Sequence, residues 1–207
     1  MMIYLIRHAQ SVMNTKPTLV GGRSNETKLT KLGIRQAKEL GAKIKLNPDL
    51  DLGKFEVYSS TAIRAKETAK LALQAAGLVK TEIKLREDLV EFSAGRSEGK
   101  RIWSIGAIIY ALKGVFLPKK AHFSKGESIE EVEVRIREAL EQIAAESKAK
   151  NILVFTHGMS IKCLIGKTLG WGFFKIWTTP IENTSTTKLK FNGDGQFEVL
   201  AVSCGEF

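Results

Sequence analysis

Ile3-Tyr4-Leu5-Ile6-Arg7-His8-Ala9-Gln10-Ser11 begins as a strand and ends in two groups suited to binding. Met2 to Ile6 is a short unbroken apolar or aromatic run, and Ile3, Tyr4 and Ile6 favour extended backbone. Where the run stops, an arginine and a histidine stand side by side, followed by small and polar residues. A buried central strand with that ending carries a guanidinium and an imidazole to the edge of a sheet. In open α/β folds that edge is where ligands bind. The plainer alternative is a strand that simply ends in polar residues, with His8 capping a loop.

Two further stretches repeat the pattern. Ile152 to Phe155 is a continuous apolar run that ends in Thr156-His157-Gly158. Phe55, Val57 and Tyr58 mark a short strand ending in Ser59-Ser60-Thr61, which can cap a helix that begins near Ala62 and carries Arg64 in its first turn. If these strands are parallel neighbours, Arg7, His8, Arg64 and His157 converge on one sheet edge. Such a set is suited to an anion, because guanidinium groups match phosphate oxygens in bidentate fashion and helix N-termini add amide donors.

The intervening chain supplies one α/β domain over residues 1–207. Ser11 to Glu26 reads as a loop with Pro17, Gly21 and Gly22, and its Asn14 and Arg23 can reach back over the Arg7-His8 edge. Thr30 caps a helix from Lys31 to Lys45, stopped by Asn47-Pro48. An alanine-rich helix after Ala62 ends at Gly77. Ile83 and Leu85 mark a third strand, and Glu87 to Gly99 is a polar loop. Residues 100–126 read as an insertion over the domain, with a helix in its apolar part ended by Gly114 and Pro118. Trp103, Ile109 and Phe116 in this segment read as core side chains, or as shapers of specificity if the segment covers the pocket. Ser128 caps a helix from Ile129 to Glu146. Ile161, Leu164, Ile165 and Leu169 mark another. Thr187 to Phe191 and Phe197 to Val202 form a closing hairpin turned by Asn192-Gly193-Asp194-Gly195.

Composition narrows the function classes. Hydrophobic residues make up 43% and charged residues 26%, ordinary values for a globular protein. The net charge of +10 favours anionic ligands. The lysines are scattered along helix faces and loops, however, and no nucleic-acid-binding motif is present, so no nucleic-acid partner is expected. Met1 to Ile6 is too short for a signal peptide. Ile102 to Leu117, interrupted by Lys113, falls short of the roughly 20 residues of a membrane span. Cys163 and Cys204 read as reduced thiols in a cytoplasmic protein, with no ligand spacing that would make a metal site. His122 reads as a surface residue.

Taken together, the motifs resemble the histidine phosphatase superfamily, the phosphoglycerate-mutase-like proteins. The opening signature of that family stands here as Leu5-Ile6-Arg7-His8-Ala9-Gln10-Ser11, followed by Asn14. Gly22-Arg23 and Leu29-Thr30-Lys31-Leu32-Gly33-Ile34-Arg35-Gln36-Ala37 match its next elements. Ser60-Thr61-Ala62-Ile63-Arg64-Ala65-Lys66-Glu67-Thr68-Ala69 and Leu89-Val90-Glu91-Phe92-Ser93-Ala94-Gly95-Arg96-Ser97-Glu98-Gly99 follow in order. Gly126-Glu127-Ser128, Thr156-His157-Gly158 and Asn183-Thr184-Ser185 complete the set.

The resemblance implies a three-layer α/β/α sandwich with a mostly parallel central sheet and an insertion over the active site. It implies phosphomonoester hydrolysis on a small phosphorylated metabolite, with no metal and no cofactor. His8 would attack phosphorus as a neutral imidazole, and Arg7, Arg64 and His157 would hold the phosphate oxygens. Glu91 would protonate the leaving alcohol and then activate water; Glu87, Asp88 and Glu98 are its neighbours and rivals. Asn14 and Arg23 would contact substrate or brace a loop, and Asn183 and Ser185 could equally be turn residues. Two other readings remain. One is a phosphoglycerate mutase, although the Glu-Arg-x-Tyr-Gly pattern of mutases is missing after the acid motif. The other is a catalytically silent phosphate-binding module. Ala9 departs from the family pattern, which places glycine after the nucleophile for backbone freedom or close approach.

Overall fold

Alternate residues of the first strand face opposite sides of a sheet, and helices cover both sides. The structure is a computed structural model that describes residues 1–48, 50, 55–116, 121–193 and 195–205. Its strands are β1 (Met2–Arg7), β2 (Phe55–Ser60), β3 (Ile83–Arg86), β4 (Asn151–Thr156), β5 (Thr186–Phe191) and β6 (Phe197–Cys204). They form one sheet in the order β3-β2-β4-β1-β5-β6. β3, β2, β4 and β1 run parallel, while β5 is antiparallel to both β1 and β6. The helices are α1 (Lys31–Leu46), α2 (Ile63–Ala75), α3 (Ile105–Phe116), α4 (Ile129–Glu146), α5 (Gly158–Thr168) and α6 (Phe173–Thr178).

Two hydrophobic clusters follow from the period of two along a strand. Tyr4 and Ile6 of β1, with Leu153 and Phe155 of β4, pack against Leu40 and Ile44 of α1 and Ala69, Ala72 and Leu73 of α2. Ile3 and Leu5, with Ile152 and Val154, pack against Ile136 and Leu140 of α4 and Ile161 and Leu164 of α5. β1 and β4 are covered on both faces, which is why they read in the sequence as unbroken apolar runs. The result is an α/β/α sandwich with a mostly parallel sheet.

The expected helix caps are present. Thr30 Oγ1 accepts from the Gly33 amide at 3.0 Å. Ser128 Oγ accepts from the Glu131 amide at 3.1 Å, and Glu131 Oε2 accepts from the Ser128 amide at 2.7 Å. Each such cap contributes about 1 kcal/mol. No helix among the described residues is long and apolar enough to cross a membrane.

Three expectations are corrected. Gly114 does not end its helix: α3 continues to Phe116, and Gly114 is buried where the Phe173 ring of α6 occupies the space a Cβ would need. Trp103, Ile109 and Phe116 are not core residues, being 55%, 48% and 76% exposed. Tyr110 is buried instead, stacked on Phe123 at 4.0 Å. α3 is apolar around most of its circumference, so its sequence does not mark the inward face. Nor does the Ser59-Ser60-Thr61 stretch cap α2 in the ordinary way: the N-cap is Ala62, and no side chain caps it. Pro118 and Asp194 lie outside the described residues.

Candidate active site

Three parallel strands deliver the site at their carboxyl ends. Arg7 is the last residue of β1 and lies in register with Thr156 of β4, so His8 and His157 each leave the sheet one residue later. β2 is the other neighbour of β4 and ends at Ser60, from which Arg64 follows in the first turn of α2. The condition set by the sequence, that the strands be parallel neighbours, is met.

The His8 backbone is fixed on both sides. Its amide donates to the Thr156 carbonyl at 3.0 Å, and its carbonyl accepts from Asn183 Nδ2 at 2.7 Å. The Arg7 carbonyl accepts from the Thr184 amide at 3.0 Å. Asn183 is therefore more than a turn residue, because it anchors the histidine backbone opposite the β4 contact.

The His8 ring has one consistent tautomer. Nδ1 lies 2.7 Å from the Ala9 carbonyl, which can only accept, so Nδ1 carries the proton. Nε2 lies 3.1 Å from Arg64 Nε, which can only donate, so Nε2 presents its lone pair. Burial, and then the charges of Arg64 and Arg7, hold the His8 pKa well below the ordinary histidine value. The ring is neutral near pH 7.

His157 is fully buried, its ring centroid 5.2 Å from that of His8 in an edge-on arrangement. Burial and the Arg64 charge hold its pKa well below the ordinary value too. Its Nε2 lies 2.8 Å from Ser60 Oγ, which also accepts from the Ala62 amide at 3.3 Å. Among the described residues, Nδ1 of His157 is buried without a hydrogen-bond partner, as is Nε of Arg7. Buried polar atoms are rarely left unpaired, and both of these belong to side chains grouped with His8 at the sheet edge. The Arg7 guanidinium is otherwise held by the Ile181 carbonyl. It passes so close to α5 that a Cβ at Gly158 would sit 3.2 Å from Arg7 Nε, which explains a glycine after His157.

Glu91 is clamped at the start of α5. Its Oε1 accepts from the amides of Phe92 at 2.9 Å and Ser160 at 3.0 Å, and its Oε2 from the Met159 amide at 3.2 Å. A carboxylate suits a helix N-terminus. Glu98 is engaged elsewhere. It accepts from the amides of Arg23 and Ala94, each at 3.1 Å, and ties two loops together. Arg7, His8, Asn14, Arg64 and Glu91 line one cavity of about 570 Å³; Glu98 does not, and His157 lies buried behind it against the His8 ring.

Arg23 stands apart from this group. Its Nη2 pairs with Glu127 at 3.1 Å and it does not line the cavity, so its contacts match the loop-bracing alternative. Asn14 lines the cavity while its Oδ1 accepts from the Ser11 amide at 2.9 Å. His122 is exposed, as expected. Ala9 is fully buried against Leu29 and Ala37, its amide donating to Thr68 Oγ1 at 3.0 Å. It is not among the residues with positive φ, so its backbone needs no glycine.

Sequence reasoning missed Ser60, which reads as a helix cap, and Thr68, which links the Ala9 amide to the Arg64 carbonyl. It also missed Arg135. That side chain pairs with Glu127 at 2.9 Å and donates to the carbonyls of Asp88 and Val90, holding the segment that carries Glu91. Arg135 sits on α4 among helix-surface charges, with no local signal to set it apart.

Comparison with known proteins gives the family and the fold. A sequence model of the histidine phosphatase superfamily (branch 1) matches residues 3–204. A Hydrogenobacter thermophilus protein named "Putative phosphoserine phosphatase 2" is 33% identical over 93% of this chain and 90% of its own length. A histidine-to-alanine variant of Entamoeba histolytica phosphoserine phosphatase, solved with phosphoserine, superposes with a TM-score of 0.80. It is 25% identical, with 98% of this chain and 96% of that chain covered. Phosphoglycerate mutase from Bacillus anthracis superposes with a TM-score of 0.75 at 26% identity, covering 98% of this chain and 92% of that one.

Proposed function

This chain belongs to the histidine phosphatase superfamily and is a phosphomonoester hydrolase, and we propose that it works through a phosphohistidine formed on Nε2 of His8. The observation that carries this reading is the neutral His8 ring, its proton on the Ala9 side and its lone pair facing Arg64. Nε2 attacks phosphorus as the bond to the leaving oxygen breaks. Arg7, Arg64 and the Nδ1–H of His157 receive the phosphate oxygens, with Asn14 at the margin of the cavity. In this arrangement Ser60 donates to Nε2 of His157, which leaves Nδ1 as the donor. Preorganised cations and donors of this kind carry most of the catalysis in phosphoryl transfer.

Glu91 in its protonated form gives its proton to the departing alkoxide. As carboxylate it then takes a proton from the water that attacks phosphorus, and the N–P bond breaks to release phosphate and free His8. Its placement in the cavity, against the loop-tying role of Glu98, supports Glu91 as the acid. The neutralising charge comes from arginines, so the scheme routes no step through a metal. We read the chain as one domain with residues 100–126 as its cap, acting on a small phosphorylated molecule. A cytoplasmic setting belongs to the same reading, since the buried Cys163 forms no disulfide among the described residues.

The test is hydrolysis of p-nitrophenyl phosphate. Steady turnover by the intact chain and its loss in His8→Ala are expected; normal turnover in His8→Ala contradicts the scheme. Incubation with 2- or 3-phosphoglycerate, with product analysis, separates hydrolysis from return of the phosphoryl group to a second hydroxyl.

A further inference from the structure

The cavity has two unlike ends. At one end stand His8, Arg7, Arg64 and Glu91, with Arg64 Nε 3.1 Å from His8 Nε2. Much of the remaining wall is apolar, and Phe92, Tyr110, Phe123, Phe173 and Trp177 belong to it. Tyr110 and Phe123 stack at 4.0 Å, and Phe92 meets Phe123 at 5.9 Å and Trp177 at 5.9 Å, both edge to face. Phe173 closes on Tyr110 at 5.8 Å. α3, α6 and the segments around Phe92 and Phe123 each contribute a ring.

Arg7, Arg64 and Lys162 are the cationic side chains on this cavity among the described residues, His8 being neutral. The two arginines belong to the phosphate end. Lys162 sits one turn into α5, whose first amides hold Glu91, and its Nζ donates to the Trp177 carbonyl at 3.2 Å. Lys162 thus stands beside the rings, its Nζ also 6.0 Å from the ring centroid of Trp177, and it is the one cation there among the described residues. A carboxylate placed against the rings loses hydration that, among the described residues, only this engaged lysine could offset, which is costly. An apolar group placed there gains at every buried methylene. Phe92, Tyr110 and Phe123 belong to the buried core and also border a cavity of about 570 Å³, a size typical of ligand sites. Ile102 and Phe174 line the same cavity and are also exposed, so the apolar surface runs on from the pocket to the outside.

We propose that the substrate is the phosphate monoester of a bulky apolar alcohol, aromatic or long-chain alkyl, seated with its phosphate at His8 and its apolar body on the Phe92–Tyr110–Phe123–Trp177 wall. This rests on the phosphatase reading above and sets the leaving group apart from the short carboxylate-bearing alcohols of phosphoserine and phosphoglycerate. Contact energy on the apolar body, strongest when the phosphate is aligned for attack, raises kcat/KM.

The experiment compares kcat/KM for methyl, butyl and octyl phosphate, 1-naphthyl phosphate, phosphoserine and 3-phosphoglycerate. The expected result is a rise of about fourfold per methylene until the cavity is full. Octyl and naphthyl phosphate should exceed phosphoserine and 3-phosphoglycerate by about tenfold or more. A flat or falling alkyl series, or preference for phosphoserine or 3-phosphoglycerate, overturns the proposal and leaves the phosphatase reading intact. Failure to hydrolyse any of them, p-nitrophenyl phosphate included, overturns the phosphatase reading itself. In the second arm, Ala111→Asp places a carboxylate on the apolar wall from an exposed helix position. The ratio of octyl phosphate to phosphoserine should fall about tenfold. That ratio does not depend on the fraction of enzyme folded, and an unchanged ratio contradicts the assignment of the wall.

Discussion

The Nε–H of Arg64 lies 3.1 Å from Nε2 of His8, so one arginine holds the lone pair that the mechanism needs. The same guanidinium donates through Nη1 to the Ser24 carbonyl at 2.8 Å, which fixes its plane. In the structure Arg64 sets the His8 tautomer; under the proposed mechanism it yields Nε2 to phosphorus on substrate binding and keeps its charge beside the phosphate. Arg64→Ala is expected to lower kcat/KM by about a hundredfold or more. Arg64→Lys restores charge without the planar fork and should recover little of that loss. The check is steady-state kinetics with p-nitrophenyl phosphate; full activity in Arg64→Lys would show that charge alone suffices.

Both site histidines tie stability to pH. Each is neutral in the folded chain, its pKa held well below the usual value, chiefly by burial and then by Arg64. Their unfolded pKa is about 6.5. Below that pH the unfolded chain binds protons that the folded chain refuses, so stability is complete above about 6.5 and falls with pH beneath it. The slope approaches about 1.4 kcal/mol per pH unit for each histidine. Denaturant midpoints from pH 7 down to 5 check this. His8→Asn should remove about half of the histidine contribution, and an unchanged slope would mean that His8 is protonated in the folded state.

The division of work between Glu91 and Glu98 can be tested by isosteric replacement. Glu91→Gln keeps one acceptor oxygen at the start of α5, replaces the other with an amide donor and supplies no titrating proton. Its kcat should drop about a hundredfold or more, with competitive inhibition by inorganic phosphate nearly unchanged. Glu98→Gln weakens the tie between the loops around Ala94 and Arg23. It should lower thermal stability modestly and leave the pH–rate profile in place. The opposite pattern would transfer the acid to Glu98.

Ser60 has the second histidine as its partner. Ser60→Ala removes the group 2.8 Å from His157 Nε2 and frees the ring to take the other tautomer. Phosphate affinity and kcat/KM should each fall by about tenfold, the loss of one buried hydrogen bond. Ser60→Thr, which keeps the hydroxyl, should recover most of it. Equal losses in both variants would mean that packing at β2, not the hydroxyl, is what matters.

What could be read from the chain was the part written locally. β1 and β4 are buried on both faces, so they appear as apolar runs, and the residues that end those runs are the site histidines and Arg7. Arg64 and Glu91 were legible through motif order. The roles of Ser60, Thr68 and Arg135 were not, because each acts on a residue distant in sequence through side-chain atoms. α3 was expected, but a helix apolar all round hides which face is inward, and Tyr110 was passed over for Trp103 and Phe116. α6, six residues rich in aromatics, is too short to show a helical period.

The mechanism stands on a covalent phosphoryl group carried by His8. The decisive measurement is rapid quenching of the enzyme during p-nitrophenyl phosphate turnover, followed by peptide mass analysis under alkaline conditions that preserve phosphohistidine. One phosphoryl group is expected on the peptide containing His8, formed faster than steady-state turnover and missing from His8→Ala. Turnover with no phosphorylated peptide, or with the phosphoryl group on another residue, would contradict the mechanism.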